Sequence, residues 1–248
     1  MAQQNIFDNA LFFEGYQAIR KKESNANDLF EIPALLSILP NLKGKRVLDL
    51  GCGFGEHCKT FVEKGAERVV GIDISDKMLQ VARQENSDPR ITYIHMPIEE
   101  ISQLEETFDL VVSSLALHYV EDFAGVVTSI YRLLNPEGIF LFSQEHPFVT
   151  AHSGGDRWTR DENGEKKHMN LANYGVEGER ETTWFVDHVK IYHRTFSTIV
   201  NTLLEAGFSI AHMIEPLPTP ELLASYPEHK DLFHKPDFLL LKAIKNNR

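Results

Sequence analysis

Apolar and polar positions change their period along this chain. Residues 5–22 carry Ile6, Leu11, Phe12, Tyr16 and Ile19 near one side of a helix, which predicts an amphipathic helix. A second helix is expected over 27–39, with Asn27 or Asp28 as its cap and Pro33 near the first turn. From Lys45 onward, short apolar runs alternate with helical patterns. "RVLDL" reads as a strand followed by a helix to Lys64, "RVVGID" as a strand followed by a helix over 76–86, and "ITYIHM" and "FDLVVSSLAL" as strands. A helix over 122–134 leads to a strand at "GIFLFSQ". After a gap come a helix at 195–206 and strands at "FSIAHMIEP" and "DFLLLKAI". Strands separated by helices imply an α/β fold with a mostly parallel sheet covered on both faces.

The 248 residues fit one α/β domain. The formal net charge is −11, so an acidic surface opposes a dominant nucleic-acid or anionic-membrane partner. The N-terminal residues lack the basic start and long apolar run of a secretory signal, and no stretch reaches membrane-spanning length. Two cysteines, Cys52 and Cys58, suggest neither a disulfide framework nor a zinc site. A cytoplasmic location is the expectation.

The most informative turn is "VLDLGCGFGEH", Val47–His57. Gly51, Gly53 and Gly55 follow a strand and let a ligand approach bare backbone, next to the free N–H groups of the following helix. A dinucleotide fingerprint wants glycine where Glu56 stands, and no Lys-Ser/Thr pair follows as in a phosphate loop. A carboxylate there repels phosphate. The loop therefore suits a nucleoside-like ligand without phosphates, or one that carries positive charge. The alternative is an ordinary tight strand–helix turn. Asp73 ends the next strand, where a carboxylate can accept both hydroxyls of a ribose; it can equally cap the helix that follows, a role open to Ser75 or Asp76 as well.

With "VLDLGCGFGE", "VVGIDIS..ML", "MPIEEI" and "FDLVVSSLALHYV" in order, residues 40–145 resemble the class I S-adenosylmethionine-dependent methyltransferases. The resemblance implies a doubly wound, Rossmann-like seven-stranded sheet, mostly parallel with an antiparallel last strand. It implies S-adenosylmethionine as methyl donor and S-adenosylhomocysteine as product. Position by position, it puts Gly51, Cys52 and Gly53 along the methionine part of the cofactor and Asp49 near its ammonium. Asp73 falls on the ribose, Ile74 and Met78 near the adenine, Ile98 and Glu99 at the adenine edge, and Ser114 and Leu115 beside the methionine moiety. Tyr16 and Arg20, four apart on the first helix, are positioned to cover the cofactor and meet its carboxylate, or to pack and face solvent.

The acceptor side is less explicit. The family branches that methylate nucleobase or glutamine amino groups carry an Asp/Asn-Pro-Pro-aromatic motif where this chain reads "SSLALHY", which disfavours those targets. Residues 145–193 form a 49-residue insertion at a place that needs only a short connection. "WTRDENGEKKHMNL" reads as a hairpin turning at Asn163-Gly164, and "ETTWFVDHVKIYHRTFST" as a strand or two. A β-rich lid over the acceptor is expected, set between an N-terminal helical cap (1–40) and a core made of 41–144 and 194–248. His118, Glu145, His146, Tyr192 and His193 are the candidate catalytic residues; each has a structural alternative as a packed or loop-tying side chain. The spacing of Glu145, His146 and His152 matches no compact metal motif. Methyl transfer from a sulfonium proceeds by in-line displacement, in which alignment supplies much of the acceleration. The expected function is methyl transfer to a small-molecule acceptor. The alternatives are a protein or peptide acceptor, or cofactor binding without turnover.

Overall fold

The computed structural model describes residues 4–152 and 154–246. The N-terminal amphipathic run divides into a 3-10 turn, Ile6–Asp8, and helix α1, Ala10–Arg20. Asn9 separates them because its side chain accepts from the N–H groups of Leu11 and Phe12, capping α1 and ending any continuous helix. The second expected helix opens as a π-helical turn, Asn27–Glu31, and continues as α2, Ile32–Ser37. Its expected side-chain cap is absent; the Asn25 carboxamide accepts from the Asn27 N–H instead.

Then follow β1 (Arg46–Leu50), α3 (Glu56–Glu63), β2 (Arg68–Asp73), α4 (Asp76–Glu85), β3 (Ile91–His95), β4 (Phe108–Ser114), α5 (Phe123–Leu133) and β5 (Leu134–Glu145). The insertion holds α6 (Pro147–Thr150), β6 (Trp158–Arg160), β7 (Lys166–Met169), β8 (Gly178–Trp184) and β9 (Val186–His193). The chain closes with α7 (Phe196–Ala206), β10 (Phe208–Ile214), α8 (Pro220–Ser225) and β11 (Phe238–Lys245). β4 stops at Ser114, earlier than its apolar run, because Leu115 takes a positive φ of 52° and Leu117–Tyr119 winds into a 3-10 turn.

The seven-stranded sheet has the order β10-β11-β5-β4-β1-β2-β3. β1 to β5 pair in parallel, and the last strand, β11, runs antiparallel to both β5 and β10. Both faces are covered. Leu48 and Leu50 point into a cluster with Val126, Ile130 and Leu203 of α5 and α7, while Val47 joins Phe61, Leu35 and Phe30 on the other face. This two-sided burial explains why the strands read as nearly continuous apolar runs. Strand order reverses between β1 and β4, and a crevice is expected at their carboxyl ends.

The insertion forms two hairpins with different neighbours. β6–β7 turns through residues 161–165, where the Asp161 carboxylate accepts from the N–H groups of Asn163 and Glu165. It packs on residues 227–235 through a Lys166–Asp231 ion pair and a Lys230–Glu165 pair at 2.5 Å. β8–β9 packs instead on α1, where the Phe12 ring meets Trp184 at 5.2 Å and Phe185 at 5.5 Å, both edge-on. Gly15 permits this approach: a Cβ there would lie 2.5 Å from the Phe185 ring. The Gln4 carboxamide adds bonds to both the N–H and the C=O of Lys190. No helix among the described residues is long and apolar enough to cross a membrane.

Candidate active site

A cavity of about 590 Å³ opens at the carboxyl ends of β1, β2, β4 and β5. Its floor begins at the glycine loop. Gly51 takes φ +71°, and a Cβ there would lie 2.5 Å from that of Ala116, so the bend between β1 and α3 needs glycine. The Asp73 carboxylate ends β2, lines the cavity and accepts from the Gly53 N–H at 2.9 Å and the Ser75 N–H at 2.8 Å. Ser75 caps α4 through the Met78 N–H, leaving Asp73 with its loop-shaping and cavity-facing place. Asp8 in turn accepts from the Ser75 hydroxyl and the Lys77 N–H, which ties the N-terminal segment to this turn.

Gly51, Cys52, Gly53, Ile74, Met78, Ile98, Glu99, Ser114 and Leu115 line the same cavity, as do Tyr16 and Arg20 from α1. Burial pushes the Tyr16 hydroxyl up to about 12, so it stays a neutral donor. Arg20 spans to Asp28 at 2.8 Å and Glu56 at 2.6 Å, and so fastens α1 to the start of α3. Asp49 lies one layer deeper, 1% exposed and outside the lining. Its Oδ2 accepts from the Cys58 thiol at 3.3 Å, and its Oδ1 has no partner. Burial raises its carboxyl to about 7, with the nearby Asp73 and Glu31 carboxylates adding to the shift.

The far part of the cavity divides the candidate catalytic residues. His118, Glu145 and Tyr192 line it; His146 and His193 do not. His146 caps α6 by accepting from the Phe148 N–H, and its other ring nitrogen meets Glu215 at 2.8 Å. His193 is fully buried between the Thr150 hydroxyl and the Tyr174 carbonyl, because the end of β9 turns inward to anchor the insertion. The insertion and its histidines were legible from sequence, but the direction each histidine faces was not. His118 is held neutral, its pKa lowered to about 3 by burial and the Arg194 guanidinium, and its Nδ1 accepts from the Glu145 N–H at 3.4 Å. Glu145 is raised to about 7, chiefly by burial.

The hairpins also part company here. Glu179, Trp184, Lys190 and Tyr192 of β8–β9 line the cavity, whereas 158–169 contributes nothing to it. Trp158 and Lys166 line a separate pocket of about 240 Å³ with residues of the 227–237 segment. The roof over the cavity is therefore the second hairpin, not the one with the Asn163-Gly164 turn, because β8–β9 is the pair whose aromatics meet α1.

Glu31 is a site residue that the sequence reading passed over. It is fully buried, lines the cavity, and its Oε1 accepts from Ser114 Oγ at 2.9 Å and Ser143 Oγ at 2.5 Å, while Oε2 has no partner. Its spacing carried the signal: Glu31 lies four residues before Leu35, also fully buried, so the same inward face of the α2 region holds both. Tyr119, Phe7 and Phe54 join Tyr16 and Trp184 in an aromatic wall, with ring centroids 5.4 to 6.0 Å apart.

The residues present suit a cationic nucleoside without phosphates. Carboxylates outnumber cations, two buried carboxylate oxygens lack partners, and bare backbone lines the loop. Residues 48–142 match the model of a methyltransferase domain family. The chain is 40% identical to an S-adenosylmethionine-dependent methyltransferase of Mesorhizobium loti, whose crystal structure superposes with a TM-score of 0.81 over 87% of this chain and 97% of that one. A protein of Haemophilus influenzae described only as uncharacterized is 41% identical across 97% of both chains. Similarity to the ubiquinone biosynthesis O-methyltransferase of Neisseria meningitidis, 35% identical, covers 42% of this chain and 45% of the relative. The chain belongs to the class I S-adenosylmethionine-dependent methyltransferases. It is an enzyme of that type, and S-adenosylmethionine is its cofactor.

Proposed function

We propose that the protein transfers the methyl group of S-adenosylmethionine to a small molecule enclosed between α1, the β8–β9 hairpin and the ends of β4 and β5. The supporting observation is that one cavity runs from the glycine loop to Glu145 and Tyr192 beneath Trp184. In this reading residues 1–40 and 178–193 are the cap, and 41–144 with 194–248 is the core. Asp73 holds the ribose, and Ile74, Met78, Ile98 and Glu99 surround the adenine. Gly51, Cys52 and Gly53 flank the methionine part, with Asp49 behind them, and Tyr16 and Arg20 close the cofactor in from α1. The cofactor supplies an electrophilic methyl carbon on a cationic sulfur. The chain's own contribution is to align the acceptor, exclude water, and accept a proton where the acceptor has one to lose; Glu145 stands where such a proton would leave, and the neutral His118, whose Nδ1 accepts from the Glu145 N–H, fixes the position of that residue.

A cavity roofed by Trp184 and Tyr192 favours a small acceptor over a folded protein or an extended peptide, which would need a longer groove. The O-methyltransferase relatives of named substrate match 42% to 57% of this chain and about half or less of their own length, so they speak for the donor half. Incubation with methyl-labelled S-adenosylmethionine and a deproteinised cell extract, against the protein fraction of the same extract, tests the reading. Label is expected in the small-molecule fraction. Label confined to protein would overturn it.

A further inference from the structure

The cavity's charge is unusual for a site that has only the cofactor to hold. Arg20 and Lys190 are the Arg and Lys side chains that line it, and both are already engaged, Arg20 by Glu56 and Asp28, Lys190 by Glu179 at 3.1 Å. The lining histidines, His57 and His118, are held neutral by burial. Glu31, Asp73, Glu99, Glu121 and Glu145 line the cavity and form no ion pair among the described residues. Arg157 and Lys235 act on Glu145, and Arg20 on Glu31, without pairing with them. The donor carries a sulfonium, an ammonium and a carboxylate, a net single positive charge, and the carboxyl groups lining the cavity outnumber it.

Two of these carboxylates, Glu31 and Glu145, line the cavity beside neighbouring positions along β5. Ser143, which donates to Glu31, and Glu145 are two residues apart on β5, so their side chains leave the same face of the sheet about 7 Å apart. Glu31 is fully buried with an unpartnered Oε2, and no side chain or backbone group among the described residues donates to the Glu145 carboxylate. Tyr16, Tyr119, Trp184 and Tyr192 stand around them. Carboxylates in a cavity lined by aromatic rings are the arrangement that recognises an organic cation.

Building on the methyltransferase reading above, we propose that the acceptor is an organic amine with an apolar body, drawn in as its ammonium form between Glu31 and Glu145 and the aromatic wall, and methylated on nitrogen. The ammonium gives one proton to the Glu145 carboxylate. The freed nitrogen lone pair then forms the nitrogen–carbon bond as the carbon–sulfur bond breaks, with that bond's electron pair remaining on sulfur. Positive charge passes from sulfur to nitrogen, and the proton on Glu145 leaves to solvent when the product departs.

Three probes with one ring and different heads test this: 2-phenylethylamine, 2-phenylethanol and 3-phenylpropionate, each titrated calorimetrically into the complex with S-adenosylhomocysteine. The amine is expected to bind most tightly and the carboxylate least. Glu145→Gln and Glu31→Gln should each weaken the amine roughly tenfold or more, the scale of a hydrogen bond to a charged group, and leave the alcohol within about twofold. S-Adenosylhomocysteine affinity should survive in Glu145→Gln. The inference is overturned if the carboxylate or alcohol binds as tightly as the amine, or if both substitutions leave amine affinity unchanged. Its failure is separable from that of the methyltransferase reading: retained S-adenosylhomocysteine binding with turnover of a non-amine removes only the amine, whereas loss of S-adenosylhomocysteine binding by the wild-type protein removes both.

Discussion

Asp49→Asn should stabilise this protein at neutral and alkaline pH while weakening its hold on cofactor. The Asp49 carboxyl is 1% exposed, its Oδ1 has no partner, and burial moves it from an ordinary 3.8 to about 7. In the unfolded chain it ionises near its ordinary value. Between pH of about 4 and about 7 the folded state therefore keeps a proton that the unfolded state has lost. A raised carboxyl contributes fully below the lower value and loses that contribution as pH rises through the upper one. The slope is up to about 1.4 kcal/mol per pH unit, and the whole difference amounts to roughly 4 kcal/mol above pH of about 7. Asparagine has no charge to bury and still offers Oδ1 to the Cys58 thiol. Asp73, Glu31 and Glu145 are raised too, so the wild-type slope is steeper than one group explains; the difference between the two proteins isolates Asp49. Urea denaturation at pH steps from about 5 to about 8 measures it. The gap should open with rising pH, and titration with S-adenosylhomocysteine should show an affinity about tenfold lower in the variant. Parallel stability curves would refute the argument that an uncompensated buried carboxylate is kept for a cationic ligand.

Three further outcomes follow from the same geometry. Asp73→Ala removes the acceptor of both Gly53 and Ser75 N–H groups, so it should cost about 1–3 kcal/mol of stability as well as roughly ten- to hundredfold in S-adenosylhomocysteine affinity, read by thermal melting and calorimetry; an unchanged affinity in a folded variant would remove Asp73 from the ribose. Trp184→Ala should raise the KM for acceptor and leave cofactor affinity nearly unchanged, whereas shortening the 161–165 turn should alter neither; the reverse pattern in steady-state kinetics would return the acceptor to the first hairpin. With a net charge of −11, the protein should show no submicromolar, salt-sensitive binding to duplex DNA in an anisotropy titration.

The sheet was legible because buried parallel strands leave apolar runs that helices and glycine turns punctuate, and the cavity's floor because its loop demands glycine and an acid at fixed strand ends. What stayed hidden depended on contacts across the chain. Asn9 reads as one more polar residue in an amphipathic run, yet its side chain divides that run. Glu31 meets Ser114 and Ser143, 83 and 112 residues away, and no local pattern announces such a meeting. His146 and His193 drew attention as histidines near the sheet's ligand edge. Local turns send one to cap α6 and the other to Thr150. The whole 145–193 insertion was expected as the lid; which part of it reaches the cavity depended on α1, whose Phe12 and Gly15 form the docking face for β8–β9.

A crystal structure of the S-adenosylhomocysteine complex, soaked with 2-phenylethylamine, would show where donor and acceptor sit relative to Asp73 and Glu145. The nucleoside is expected against Asp73 and the amine nitrogen within hydrogen-bond reach of Glu145, beneath Trp184 and Tyr192. An amine seated in the pocket between Trp158 and Lys235, or a cofactor lying away from Gly51–Gly53, would contradict it.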